Sequence, residues 1–128
     1  MEYHISKFVD LSYDEAVSRA TEELANEGFG ILTEIDVKAT LKKKLNADFR
    51  NYVILGACNP PLAFEALKAE DKLGTLLPCN VVVQEHEDGR VEVSAMNPGL
   101  MSGVVDNAKL TPIAEKVQEI MRRVLGRL

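Results

Sequence analysis

Two cysteines are the residues of this chain with the clearest chemical potential. Cys58 stands in GACNPPL and Cys79 in LPCNVVV, so each is followed by an asparagine and has a proline within two positions. A thiolate is a nucleophile and a ligand for soft metal ions, and two thiols can also form a reversible disulfide. These residues therefore raise the hypothesis of a shared thiol or metal site with a redox or sulfur-handling role.

The asparagines define the candidate site further. Asn59 precedes Pro60 and is predicted to cap a helix, because proline at the first helical position costs no hydrogen bond. Cys58 would then lie beside the unpaired N–H groups at the helix N-terminus, which favour thiolate over thiol. We predict a ligand-binding site formed by Cys58, Asn59, Cys79 and Asn80, with Cys58 as the more reactive thiol.

A third metal ligand is suggested by position. His4 begins the first predicted strand and would lie at the same end of the sheet as the cysteines, whereas His86 would lie about 23 Å along one strand. Cys58, Cys79 and His4 with an open position would suit zinc or a soft ion such as Cu(I). The competing interpretation is that both cysteines are small core residues, because free cysteine is among the most buried residue types.

Length and composition exclude several classes of protein. The 128 residues are enough for one domain, which we predict to cover residues 1–128. The net charge of −5 argues against binding to nucleic acid, whose phosphates require a positive surface. Neither a membrane-spanning run nor a secretion signal is recognisable, so we predict no membrane association and a cytoplasmic location with reduced thiols. Because nucleotide loops and catalytic motifs are also lacking, we favour a non-catalytic protein over an enzyme.

Five strands and two main helices are predicted to position these residues. Ser12 and Glu15 form a capping box at the start of the first helix, and Gly28 is predicted to end it. The last helix carries an apolar stripe from Ile113 to Leu125. Two short helices are inserted at 37–45 and 60–73, and the predicted strands are EYHISKFV, FGILTEID, NYVILGA and the two arms of NVVVQEHEDGRVEVSAM.

The last two strands are predicted to form a β-hairpin. Asp88 and Gly89 suggest a two-residue turn, which would place Gln84 opposite Val93. The core face of the hairpin would then carry Val82, Gln84, His86, Val91, Val93 and Ala95.

The third and fourth strands could be parallel or antiparallel on the residues alone, because a helix of suitable length joins them. Three motifs are more specific: TEIDVKATL, ILGACNPPLA and LLPCNVVV. They resemble the domain-of-unknown-function family numbered 302, and the resemblance covers essentially the whole chain. It implies a TATA-binding-protein-like fold with a curved antiparallel sheet, but it implies no established reaction and no DNA binding. We therefore predict an α+β fold with a curved, mainly antiparallel five-stranded sheet, the main helices on one face, and both cysteines at one edge.

The segment Asn97–Leu110 is predicted to serve assembly. It is aperiodic yet contains Leu100, Met101, Val104 and Val105, which a monomer could leave exposed. We predict a homodimer through this segment or through a sheet edge; the alternative is that the segment folds back on its own domain. The preferred function is a non-catalytic small-ligand-binding or partner module, and the alternative is the thiol or soft-metal site.

Overall fold

Residues 2–128 are described by a computed structural model, in which strands and helices follow the predicted order with additions. The five strands are β1 (His4–Val9), β2 (Gly30–Asp36), β3 (Tyr52–Cys58), β4 (Cys79–Glu85) and β5 (Val91–Met96). The helices are α1 (Tyr13–Asn26), α2 (Val37–Leu45), α3 (Pro60–Ala69), α4 (Gly99–Val104) and α5 (Thr111–Gly126), with a 3-10 helix at Asp71–Leu76.

The strands form a single antiparallel sheet in the order β1-β5-β4-β3-β2. The predicted α+β class and the antiparallel pairing of the third and fourth strands are thus confirmed. In the register of β3 and β4, Ala57 pairs with Cys79, which brings Cys58 and Cys79 to the same end of the sheet. The further likeness to a TATA-binding-protein fold stays a prediction.

Helices α1 and α5 pack on one face of this sheet, as predicted. Ala16, Ala20 and Leu24 of α1 are buried in one cluster with the apolar stripe of α5 and the inward side chains of β3, β4 and β5. The ends of α1 are fixed locally: Ser12 and Glu15 form the predicted capping box. Gly28 takes a φ of +83°, which a residue without a Cβ adopts readily, and its N–H donates to Ala25 at the helix C-terminus.

These two helices are long but not uniformly apolar. The polar side of α1 carries Asp14, Glu15 and Glu22, and that of α5 carries Glu115, Arg122 and Arg123. Within residues 2–128, no helix combines the length and the apolar character needed to cross a bilayer.

The predicted core face of the hairpin is wrong on β4. Val81 and Val83 face the core, and Val83 rather than Gln84 pairs with Val93. The N–H of His86 donates to the carbonyl oxygen of Arg90, so three residues, 87–89, form the loop instead of the predicted two. The N–H of Gly89 donates to the carbonyl oxygen of His86, and Gly89 takes a φ of +87°. Because side chains alternate between the faces of a strand, one additional loop residue moves every β4 side chain to the opposite face.

Two predicted segments differ in detail from the structure. The helix predicted at 60–73 ends at Ala69 and is followed by the 3-10 helix. The segment Asn97–Leu110 contains α4, which folds back on its own domain and buries Met101 against Ala66, Leu73 and Leu110. This observation favours the alternative that the sequence left open for the segment, and the homodimer itself stays a prediction.

Candidate ligand-binding cavity

An apolar cavity lies between the β3–β4 end of the sheet and the helices that follow these strands. Its volume is about 270 Å³. The floor comes from the end of β3 and the start of β4, and the walls come from α3, the 3-10 helix, α4 and α5. The side chains around it are mainly aliphatic, including Leu62, Leu73, Leu77, Met101, Leu110, Ile113 and Val117.

Small side chains at three positions leave this space unfilled. Ala57 on β3, Ala66 on α3 and Ala114 on α5 all line the cavity and are buried. At each of these three positions the side chain is only a methyl group. Because protein interiors are normally packed to the density of organic crystals, an unfilled volume of this size is a candidate binding site.

Both cysteines belong to the wall of this cavity. Cys58 is half-buried, whereas Cys79 is only 7% exposed. Burial raises the pKa of the Cys79 thiol to about 11, and negative charge on nearby Cys58 adds to the increase. Cys79 is therefore a neutral thiol at neutral pH, and Cys58 is the thiol nearer to solvent.

Asn59 fixes the chain at one side of the cavity. Its Oδ1 accepts a hydrogen bond from the N–H of Leu62 at 3.3 Å, so it caps α3 as predicted. Its Nδ2 donates to the carbonyl oxygen of Glu27 at 3.4 Å, at the end of α1. A Cβ on Gly28 would lie 3.1 Å from this Nδ2, which shows how closely the two segments approach. Asn59 thus holds the first turn of α3 against the end of α1.

An ion-pair network supports the same junction. The Glu27 carboxylate accepts from Arg123 and from Arg127 of α5, with nearest distances of 2.9 Å in both pairs. The hydrogen bond from the Arg123 guanidinium is the main cause that lowers the pKa of Glu27, with a further contribution from Arg127. Glu27 therefore links the ends of α1 and α5 as a carboxylate, beside the Asn59 contact.

The structure does not bring the other two candidate residues to the cavity. Asn80 follows Cys79 on β4 and points to the opposite, open face of the sheet, because side chains alternate along a strand. His4 lies on that open face too, where its Nδ1 is 2.7 Å from the Ser6 hydroxyl and its Nε2 is 3.3 Å from Glu2. The strand register places His4 near the same end of the sheet as Cys79, but His4 does not line the cavity, and a metal site that includes His4 stays a prediction.

A metal site at the cysteines would require a cluster of ligating side chains. In the part of the chain that the structure describes, residues 2–128, no three His, Cys, Asp or Glu residues lie close enough together to hold a metal ion. Cys58 and Cys79 would therefore need ligands from outside this set. Binding of zinc or Cu(I) stays a prediction, and the described side chains do not supply a third ligand for it.

The apolar wall is the part of the site that sequence reasoning missed. Its side chains read as ordinary helix stripes, because hydrophobic periodicity marks a buried face but not a gap within it. Leu32 of β2 also lines the cavity although it is 67% exposed, and Leu67 of α3 is partly exposed there. The mouth of the cavity thus has an apolar rim. The sequence could not predict this rim, because the fold brings its residues together from different elements.

A family model and a solved structure agree on the family of this chain. The model for "Domain of unknown function DUF302" matches residues 5–128. An uncharacterized protein of Aquifex aeolicus (strain VF5) is 32% identical over 95 residues, which span 64% of this chain and 65% of the relative, slightly under two thirds of its length. The crystal structure of an uncharacterized conserved DUF302 protein from Bacillus stearothermophilus matches with 30% identity and a TM-score of 0.91, covering 99% of this chain and 98% of that chain. The chain therefore belongs to the DUF302 family, as its motifs predicted.

Proposed function

We propose that this protein is a non-catalytic binding module that holds a small apolar ligand in the cavity between the sheet end and α3, α4 and α5. The observation that carries the proposal is an unfilled volume of about 270 Å³ with a mainly apolar wall. Burying apolar ligand surface there is favourable by about 25 cal/mol for each Å² removed from water. The cavity therefore has both the space and the driving force for such a ligand.

The chemistry of the wall narrows the ligand class. None of the described residues that line the cavity is charged. The polar atoms of Asn59 already bond Leu62 and Glu27, and Cys79 is a neutral thiol. A buried ionised group would pay a desolvation cost with no partner to offset it. The ligand is consequently a hydrocarbon or aromatic body whose polar group, if it has one, stays at the mouth beside Cys58.

Binding is tested with a neutral apolar probe. The fluorescence of 1-aminoanthracene should rise on addition of the protein and saturate at one probe per chain. Ala66→Leu, which places a larger side chain in the cavity, should weaken binding at least about tenfold, because several apolar contacts of the probe are lost.

Ala39→Leu is the matched control, since Ala39 is exposed on α2 and lies outside the cavity. It adds the same atoms to the surface and should bind the probe as the unmodified protein does. Equal binding by Ala66→Leu and Ala39→Leu would show that the probe binds elsewhere, and absence of saturable binding would contradict the proposal.

We also propose a homodimer, now through the sheet edge, together with a cytoplasmic location. β2 is an edge strand, and its Ile35 is 48% exposed while Leu32 is more exposed still. Unpaired backbone groups and apolar side chains on an edge favour pairing with another strand. Light scattering at micromolar concentration should give twice the chain mass, and Ile35→Lys should reduce it to the mass of one chain. A monomer in both cases would refute the assembly and leave the cavity proposal intact.

A further inference from the structure

We propose that α2 and the loop after it bind an acidic segment of a partner protein. The basic α2 surface that does so consists of Lys38, Lys42, Lys43, Lys44, Leu45 and Arg50. None of these residues lines the apolar cavity. The inference therefore goes beyond the proposed function and is independent of the apolar ligand.

Positive charge is concentrated in one short part of an acidic chain. Residues 37–51 contain five basic residues and one acidic residue, which gives them a net charge of +4. The rest of the chain contains ten basic and nineteen acidic residues and has a net charge of −9. Exposed charges more than about 8 Å apart are largely screened at physiological salt. The segment thus presents a local positive field although the whole chain carries a charge of −5.

Most cations of this surface have no carboxylate partner. Among residues 2–128, six of the fifteen lysines and arginines form an ion pair with an aspartate or glutamate, and only Lys42 of these six belongs to the basic α2 surface. Its partner Asp48, at 3.2 Å, has a side chain that is 95% exposed. Lys38 contacts only the neutral Oδ1 of Asn51, at 3.5 Å. The surface can therefore accept external carboxylates.

The spacing of the lysines opposes helix stability in part. Lys42, Lys43 and Lys44 occupy the last turn of α2, where the negative end of a helix favours cations. Lys38 stands four residues before Lys42, and like charges at this spacing destabilise a helix. Helix stabilisation thus accounts for the lysines of the last turn but not for Lys38, nor for Arg50 beyond the helix. Carboxylates of a partner would relieve the repulsion.

Helical spacing places two lysines and a leucine on one exposed face. Lys38, Lys42 and Leu45 stand at positions i, i+4 and i+7, all three are exposed, and Leu45 is 71% exposed. The two lysines are about 6 Å apart along the helix axis. Alternate side chains of an extended chain lie on one side, about 6.6–6.8 Å apart. An extended segment with two acidic residues separated by one residue therefore matches these lysines, and an apolar residue after them can contact Leu45.

A protein segment fits this surface better than a membrane or a nucleic acid. The helix has nine residues and is about 13 Å long. Val37 and Leu41 are half-buried where α2 packs on β3, so only Leu45 could enter a bilayer from this helix. The net charge of −9 on the rest of the chain repels an extended polyanion. A short acidic segment contacts the basic α2 surface alone.

The test is the fluorescence anisotropy of a rhodamine-labelled peptide with the sequence Ser-Glu-Ser-Glu-Ser-Leu-Ser, titrated with the full-length protein. We expect saturable binding of one peptide per chain. The dissociation constant should rise at least about threefold between about 50 mM and about 300 mM NaCl, because salt screens the ion pairs. The same peptide with lysine in place of glutamate should not bind. Absence of saturable binding by the acidic peptide would overturn the proposal.

Variants separate this surface from the general charge of the protein. Lys38→Gln combined with Lys42→Gln should weaken binding about fivefold, because two ion pairs are lost. The same pair should keep or raise the urea midpoint, since the repulsion within α2 is removed. Lys109→Gln combined with Lys116→Gln is the matched control, because both lysines are exposed outside this surface and the net charge changes equally. Equal weakening by the two pairs would overturn the proposal. Leu45→Ser should weaken binding about threefold.

Other polyanions decide the class of the partner. Vesicles that contain phosphatidylserine and a short DNA duplex are tested at the same salt, and neither should bind. Binding of either one, lost in the variant with Lys38→Gln and Lys42→Gln and not matched by the acidic peptide, would overturn the protein partner. Binding of 1-aminoanthracene should be the same in this variant as in the unmodified protein. Failure of the acidic peptide to bind is thereby distinguished from failure of the cavity proposal.

Discussion

Filling the cavity should stabilise the protein, whereas the same substitution in the packed core should destabilise it. Ala66 is buried and lines the cavity, so Ala66→Leu places three additional carbon atoms where the structure has unfilled space. At about 0.8 kcal/mol for each buried methylene the gain is about 2.4 kcal/mol. The lost rotamer freedom of leucine costs about 0.5–1 kcal/mol, and the helix propensities of the two residues are similar. We expect the free energy of unfolding to rise by about 1.5 kcal/mol.

Ala20→Leu is the control for this prediction. Ala20 has no exposed surface, packs α1 against the sheet, and lies outside the cavity. A leucine there overpacks the core and should lower the free energy of unfolding by about 1–3 kcal/mol. Urea denaturation followed by circular dichroism measures both variants, with the slope of each transition checked for two-state behaviour. If Ala66→Leu destabilises the protein as much as Ala20→Leu, the cavity is not an open space in solution, and the reasoning on ligand binding fails with it.

Three further predictions concern the junction around Asn59 and the sheet beside it. Asn59→Ala removes the cap of α3 and the bond to the Glu27 carbonyl, and should lower the free energy of unfolding in urea by about 1 kcal/mol, whereas Asn59→Ser should retain most of the cap. The hydrogen bond from Arg123 lowers the pKa of Glu27 from its ordinary value of 4.5. The unmodified protein should therefore have a higher free energy of unfolding than Glu27→Gln above that pH, and this difference should shrink as the pH falls below it. The same difference at pH 7 and at pH 3 would contradict the pairing. Gly56→Ala should lower the free energy of unfolding by about 1–3 kcal/mol, because a Cβ at this position would overlap Thr33 Oγ1. Adding Thr33→Ala should recover part of this loss. Additive effects in the double-mutant cycle would show that residues 33 and 56 do not touch.

The sequence by itself was sufficient for the local structure around the site. Ser12, Gly28 and Asn59 were identified from the residues immediately around them, because caps satisfy backbone groups within one helical turn. The alternating and helical patterns of apolar residues were likewise sufficient for the five strands and for the two helices that cover the sheet, whereas the α+β class depended on the family motifs. The choice of antiparallel pairing between β3 and β4 came from the family motifs, since a connecting helix fits either direction.

The tertiary structure decided which side chains meet. One additional residue in the hairpin loop determined which face of the sheet each β4 side chain occupies. As a result, Cys79 lies in the core and Asn80 lies on the open face. Periodicity marks buried faces element by element, so it could not show that Ala57, Ala66 and Ala114 come from three elements to surround one unfilled volume. That volume depends on contacts between residues far apart in the chain. For this reason the cysteines could be named from the sequence, but the cavity that they line could not.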